Sequence, residues 1–260
     1  MTTISSKPKV LLLDIETAPL QAYVWGMWKN DIYSDQLISD WYCLCWVAKW
    51  LGKPKIYWSS SQHLDGEDDK WTMETLWSLL DEADVVIAHN GKRFDIPKIN
   101  TRFLVNGIGP PSPYKQIDTL TAARGAFGFS SNRLDFLAQA LGLGAKLKTS
   151  FDLWSGCLAG EAQSWKKMVR YNKHDVKLLE EVYLKMRPWI KSHPNLGIHT
   201  PLVTPTCPRC GSRELVKNGT VRTNASVFQQ YVCKECGGYS RDRVSTLTKE
   251  QRANLRQAVA

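Results

Sequence analysis

The patterning of the chain predicts an α/β fold, a mixed sheet flanked by helices, followed by a small separate cysteine module. Three observations carry this. Val10-Leu11-Leu12-Leu13 is the unbroken apolar run of a central strand buried on both faces. Short strand-like runs alternate with stretches of helical periodicity at 70–82, 94–106 and 161–187. The last third carries two Cys-x-x-Cys pairs, Cys207 with Cys210 and Cys233 with Cys236, beyond a stretch where hydrophobic periodicity fades.

The first strand runs into Asp14-Ile15-Glu16-Thr17 and is stopped by Pro19, which cannot donate to a ladder. Residues 36–50 alternate, Leu51-Gly52-Lys53-Pro54 turns, and Lys55–Trp58 begins a return strand, so an antiparallel hairpin is expected. Cys43 and Cys45 then share one face as small buried hydrophobes. Trp71, Leu76, Trp77 and Leu80 mark a helix over 70–82, and Asp84–Ala88 is a short buried strand ending in His89-Asn90-Gly91. Phe94-Asp95-Ile96-Pro97 opens a helix to about Asn106, with proline in its first turn. Lys115–Thr119 reads as a strand end leading into a helix. Ser131 or Asn132 is the expected cap of a helix through Leu141 that Gly142 closes. The longest helix spans 161–187, with a candidate break near Tyr171.

Ser192–Pro208 holds four prolines and two histidines and reads as a linker. The expected organisation is therefore a domain over 1–191, a linker over 192–206, a cysteine module over 207–243 and a helical tail over 244–260. In the module, Asn218-Gly219 is the expected turn of a hairpin over Val216–Val232. In the tail, Thr248 and Gln251 form a capping box for a helix to about Ala258.

Composition sets bounds. Of 260 residues, 43% are hydrophobic and 23% charged, as in ordinary globular proteins. No run approaches the roughly 18 apolar residues of a membrane span, and no charged-then-apolar leader opens the sequence, so a cytoplasmic protein with no membrane partner is expected. Seven irregularly spaced cysteines do not form a secreted disulfide framework. The net charge of +9 is uneven. Residues 1–195 hold 24 Lys/Arg against 21 Asp/Glu, and 196–260 hold 10 against 4. A basic module on a nearly balanced domain points to a polyanion, with nucleic acid ahead of surface lysine kept for solubility.

Asp14 and Glu16 are two apart and share a strand face. Carboxylates at the end of a buried strand need compensation, and a hard divalent cation takes oxygen ligands. The alternative is a strand end running into a solvated acidic turn. Asp95 taken alone is also an ordinary first-turn acid, and Asp175 one charge on a helix face.

Three stretches resemble the three motifs of the DEDD (DnaQ-like) 3′→5′ exonucleases. Asp14-Ile15-Glu16-Thr17 looks like the first. Asn90-Gly91-Lys92-Arg93-Phe94-Asp95 looks like the second, in the form found in proofreading domains of family B DNA polymerases. Tyr171-Asn172-Lys173-His174-Asp175 is similar to the third in its tyrosine subtype. Arg170 stands where the histidine subtype has its histidine, so His174 is not a candidate for that role. The resemblance covers roughly 8–190 and implies a ribonuclease-H-like domain. It further implies two Mg²⁺ or Mn²⁺ ions held by Asp14, Glu16, Asp95 and Asp175, with Asp14 bridging them and the Tyr171 hydroxyl orienting the attacking water. It also implies strand-binding roles for Thr17, Leu20, Asn90 and Phe94, and leaves Asp118 as either an acidic helix start or a simple cap. Trp25, Trp28, Tyr42 and Trp46 are candidates for stacking on bases.

The two Cys-x-x-Cys pairs have zinc spacing, and a closed tetrathiolate site for one structural Zn²⁺ follows from Cys207, Cys210, Cys233 and Cys236. Cys-Pro-Arg-Cys-Gly-Ser and Val-Lys-Asn-Gly resemble the zinc ribbons that begin insertion-sequence transposases. That resemblance implies nucleic-acid contact through Arg209, Lys217 and Arg222, with Arg213, Arg241 and Arg243 nearby; a ribbon that docks a protein is the alternative.

The expected activity is metal-dependent 3′→5′ exonucleolysis of single-stranded DNA or DNA 3′ ends. A free-standing enzyme of replication, repair or a mobile element such as a phage fits the resemblance, with replication or repair proteins as further partners. The rivals are an RNA exonuclease, a structure-specific endonuclease with the same centre, and a non-catalytic nucleic-acid-binding protein on this scaffold.

Overall fold

A computed structural model describes residues 7–28, 30–62, 68–200 and 204–256. The described residues fall into two compact units, Lys9–Tyr183 and one beginning at Leu184.

The first unit is built on β1 (Val10–Thr17), β2 (Gln21–Ala22), β3 (Leu37–Ser39), β4 (Cys43–Trp50), β5 (Ile56–Ser60), α1 (Lys70–Asp81), β6 (Val85–Ala88), α2 (Asp95–Val105), β7 (Lys115–Asp118), α3 (Thr119–Ala126), α4 (Leu134–Ala140), α5 (Asp152–Leu158) and α6 (Ala162–Met186). Five strands form one mixed sheet in the order β5-β4-β1-β6-β7. The β1/β4 and β4/β5 pairs are antiparallel, and the β1/β6 and β6/β7 pairs are parallel. The expected mixed α/β architecture is borne out, with β1 at the centre.

The centre holds by burial. Leu11, Leu12 and Leu13 are fully buried, each contributing about 1.5–3 kcal/mol of transfer free energy. Strand alternation splits them between faces. Leu11, Leu13 and Ile15 pack with Met73, Leu76 and Leu80 of α1 and with Ile96, Ile99 and Phe103 of α2. Asp14 and Glu16, on the alternate positions, take the other face, where α5 and α6 pack.

A β-bulge refines this division. Glu16 pairs with Cys45, while the next residue, Thr17, pairs with Cys43, which leaves Leu44 as the extra residue on β4. Cys43 therefore joins the α1/α2 core, whereas Leu44 and Cys45 join the α5/α6 core. The expectation that the two cysteines share one face fails because the bulge inserts one residue between alternating positions.

Buried Asp69 staples the loop before α1. Its carboxylate accepts from Arg102 Nε and Nη2, both at 2.8 Å, from Asn106 Nδ2 at 2.7 Å and from the Cys43 N–H at 2.8 Å. Two expectations on helices change. α4 begins after Arg133, and neither Ser131 nor Asn132 caps it: the Ser131 hydroxyl accepts from the Arg133 N–H, outside the helix. α6 runs unbroken through Tyr171 because its apolar residues, Trp165, Met168, Val176 and Leu179 among them, stay buried along its length.

In the second unit, β8 (Leu215–Arg222), β9 (Val227–Cys233) and β10 (Tyr239–Arg241) form an antiparallel sheet in the order β10-β9-β8, and α7 (Lys249–Asn254) follows with the expected Thr248/Gln251 box. The hairpin turn lies at Thr223–Ser226, where the Thr223 N–H donates to the Ser226 carbonyl. Asn218-Gly219 lies inside β8 instead, at a register shift between Lys217 and Thr220, with Gly219 at φ +64°. A left-handed glycine serves a bulge as readily as a turn. The helix ends at Asn254; the tail beyond 256 and linker positions 201–203 lie outside the described residues. Among the described residues, no helix is long and apolar enough to cross a membrane.

Candidate active site

Strand alternation and α6 together assemble the acidic centre. Asp14 and Glu16 project from β1 towards the face on which α6 packs, and α6 presents Asp175. One oxygen from each of these three carboxylates lies within 4.8 Å of the others. Asp95 opens α2 at the end of the same strand, and its Oδ1 accepts from the Ile15 N–H at 3.3 Å. It stands outside that triad but close enough for its charge to bear on Asp14.

Proton affinity records the crowding. Burial, reinforced by Asp95, Glu16 and Asp175, raises Asp14 well above the usual carboxylate range. Burial lifts Glu16 to about 8 against the opposing pull of Lys146, and lifts Asp95 to about 7 against the Ile15 N–H. Burial also raises Asp175.

Lys146 answers this charge from the loop after α4. Its Nζ lies 2.5 Å from Asp175 Oδ2 and donates to the Tyr171 hydroxyl at 3.2 Å. Burial alone would lower its pKa, but Asp175 and Asp14 carry it above the usual lysine value. Tyr171 lies one helical turn before Asp175, is 8% exposed, and packs edge-on against Trp154 with ring centroids 6.4 Å apart. Burial, with Asp175 beside it, raises its hydroxyl to about 12, so the phenol keeps its proton at neutral pH.

The loop leading to Asp95 is held by Asp118. That carboxylate caps α3 through Leu120 and Thr121 and also accepts from the Asn90 and Lys92 N–H groups at 3.1 and 3.2 Å. Asn90 adopts φ +70°, and a Cβ at Gly91 would stand 2.5 Å from the Ala88 side chain, so only glycine fits there. A plain cap was one of two readings of Asp118; the carboxylate is both a cap and the clamp on this loop.

Thr17 ends β1, Leu20 follows it half-exposed, and Phe94 immediately precedes Asp95 with its ring partly open to solvent. Trp25 and Trp28 are exposed. Tyr42 and Trp46 are buried, and the Trp46 indole donates to the Thr72 carbonyl, so these two are core residues and not stacking platforms.

In the second unit the sulfur atoms of Cys207, Cys210, Cys233 and Cys236 lie within 4.8 Å of one another. The Cys210 thiol, acting against burial and joined by the Arg209 and Cys210 N–H groups, holds Cys207 down to about 4. Arg209 is committed internally: Nη1 donates to the Tyr239 carbonyl at 2.7 Å and Nε to Ile190 at 3.3 Å. Lys217 and Arg222 are exposed along β8.

Residues 47–187 match a family model described as the RNase H superfamily. The chain belongs to the RNase H superfamily. The matched segment includes Asp95, Tyr171 and Asp175, while β1 with Asp14 and Glu16 precedes it. Among solved structures, the family B DNA polymerase of the hyperthermophilic archaeon Pyrobaculum calidifontis is similar in fold, with a TM-score of 0.50 at 16% identity over 70% of this chain. The similarity spans only 25% of that polymerase. No curated protein matches.

On this RNase H scaffold the acidic residues fit divalent cations. Their donor set is all hard oxygen, and Asp95 Oδ2 and Asp175 Oδ1 are buried without a hydrogen-bond partner. The four thiols fit a soft tetrahedral ion such as zinc. Sequence reasoning missed Lys146, which sits in a loop without periodicity; its spacing to Tyr171 carries no local signal.

Proposed function

We propose that the RNase H unit is a 3′→5′ exonuclease acting on single-stranded DNA. The observation that carries this is the convergence of Asp14, Glu16 and Asp175 within 4.8 Å, with Asp95 hydrogen-bonded to the same strand. Asp14, Glu16, Asp95 and Asp175 would hold two Mg²⁺ or Mn²⁺ ions. Bound there, the ions would supply an activated water and charge compensation at the leaving 3′-oxygen.

The remaining roles belong to the chain. The Tyr171 hydroxyl accepts from Lys146, keeps its proton at neutral pH and would orient the attacking water. Lys146 offsets one carboxylate and would contact a phosphate oxygen of the bound strand. Thr17 and Leu20 would meet the terminal nucleotide, while Asn90 and Phe94 would hold the strand beside it. The cysteine module would fold around one structural Zn²⁺ and add phosphate contacts through Lys217 and Arg222, with Arg209 bracing the module.

The test is a product ladder from 5′-labelled linear DNA, linear RNA and circular DNA with Mg²⁺ or Mn²⁺, compared with Asp14→Ala. Stepwise 3′ shortening of DNA that Asp14→Ala abolishes is expected. Rapid cutting of the circle, or preference for RNA, would replace the reading with the corresponding rival. DNA binding without any product, the same in both proteins, would leave a non-catalytic binder.

A further inference from the structure

We propose that the groove between α3 and α4 is a second nucleic-acid subsite, whose Arg124 and Arg133 hold backbone phosphates of the strand next to the bond that is cut. The inference rests on the exonuclease reading and extends it to residues outside the acidic centre.

A cavity of about 510 Å³ lies there, the size of a pocket for a short ligand segment and not of an extended trough. Lys146 lines it and also contacts Asp175, and Asn90 lines it beside the loop that leads to Asp95. A ligand in the groove therefore reaches the acidic centre at one end.

Cations outnumber anions in the groove: Arg124, Arg133 and Lys146 line it against one carboxylate, Asp135. Arg124, near the end of α3, and Arg133, just before α4, are exposed; among the described residues neither guanidinium has a hydrogen-bond or ion-pair partner. Arg102 and Arg209, by contrast, are spent on Asp69 and on backbone carbonyls. The single acid in the groove, Asp135, is already satisfied by the Gln139 side chain and the Lys146 N–H, both at 2.7 Å. His89 on the wall uses both ring nitrogens, at Thr119 Oγ1 and the Asn132 carbonyl, and adds no competing anion. Two free guanidinium forks beside a satisfied carboxylate match phosphodiester oxygens, which they can grip in bidentate fashion. Leu120 and Leu134 supply apolar wall for the sugars between those phosphates.

The test compares a single-stranded oligodeoxynucleotide with the p-nitrophenyl ester of thymidine 5′-monophosphate, which has a scissile phosphodiester and no neighbouring phosphate. Arg124→Gln and Arg133→Gln should each raise KM for the oligonucleotide about tenfold, with kcat within about twofold. The kcat/KM ratio of oligonucleotide to ester should fall about tenfold, and the slope of log KM against log salt should flatten by about one per arginine removed. Arg→Lys should restore part of the affinity. Wild-type oligonucleotide KM in both variants, with the ester still hydrolysed, overturns the groove and leaves the exonuclease reading standing. Equal losses on both substrates also overturn the groove, because the arginines would then act on the centre. No ester hydrolysis by the wild type overturns both.

Discussion

Lys146 Nζ stands 2.5 Å from Asp175 Oδ2, so the chain places a positive charge of its own inside a cluster of four acids. That ammonium competes with any divalent cation for the same carboxylate field. Lys146→Met keeps the apolar stem and removes the charge. Mg²⁺ or Mn²⁺ should then bind about tenfold tighter by calorimetry, a gain of about 1.4 kcal/mol. Turnover of DNA should nevertheless fall at least about tenfold, since Tyr171 loses its donor and the substrate phosphate loses a cation. Unchanged metal affinity would show that Lys146 does not share the carboxylate field.

The contrast between Lys146 and the acids shows what is legible in a sequence. Asp14 and Glu16 are found by period-two spacing on an apolar run, whereas Tyr171 and Asp175 stand out only through their resemblance to the third exonuclease motif. Lys146 lies in irregular chain, where contacts are set by tertiary packing and nothing local marks them. The two bulges mislead for a related reason. An inserted residue at Leu44 puts Cys43 and Cys45 on opposite faces, and Gly219 looks like a turn because bulge and turn need the same positive φ. The mixed sheet with β1 inside it is legible from the apolar run and from the alternation of strands with helices, whereas Asp118 as a clamp on the 90–92 loop becomes visible only when β7 lies beside β6.

Asp69 carries a structural burden separate from the chemistry. Its carboxylate is buried and joins Arg102, Asn106 and β4 through four hydrogen bonds. Asp69→Asn leaves the Arg102 guanidinium without its anion in a site where that side chain is only 12% exposed. Breaking a buried pair on one side costs about 3–5 kcal/mol. The midpoint of urea unfolding should fall accordingly, while kcat on folded protein at low temperature stays near wild type because no atom of this staple belongs to the acidic centre. A loss below about 1 kcal/mol would mean that the pair is solvated in solution.

His89 makes stability sensitive to acid. Burial pushes its pKa down to about 4, with Lys146 and Arg124 acting the same way and the Asn132 carbonyl and Asp118 opposing. The folded-state pKa is depressed below the ordinary 6.5, so the unfolded chain binds the proton first as pH falls. The stability held by neutral His89 is full above pH 6.5 and is lost progressively from there down to about 4. Thermal midpoints measured across that window should drop with acidification. His89→Gln, which cannot titrate, should flatten the slope by up to one proton's worth. An identical pH profile in the variant would assign the acid sensitivity to other groups.

In the cysteine module, neighbouring cations of like charge should act differently. Arg209 donates to the carbonyls of Ile190 and Tyr239, so Arg209→Ala removes two internal hydrogen bonds to a charged donor, each contributing about 1.5–3 kcal/mol. Lys217 and Arg222 are exposed on β8 and lie across from Tyr231 and Val227 of β9. Lys217→Ala with Arg222→Ala should weaken binding to single-stranded DNA about uniformly across sequences and reduce its salt slope by about two. Arg209→Ala should instead lower the chelator concentration needed to strip zinc, with a smaller change in that slope. Fluorescence anisotropy across a salt series, beside zinc release followed with a colorimetric chelator, separates the two effects. A salt slope unaltered by the double substitution would direct this face of the module to a protein partner, because loss of phosphate contacts must appear as fewer counterions released.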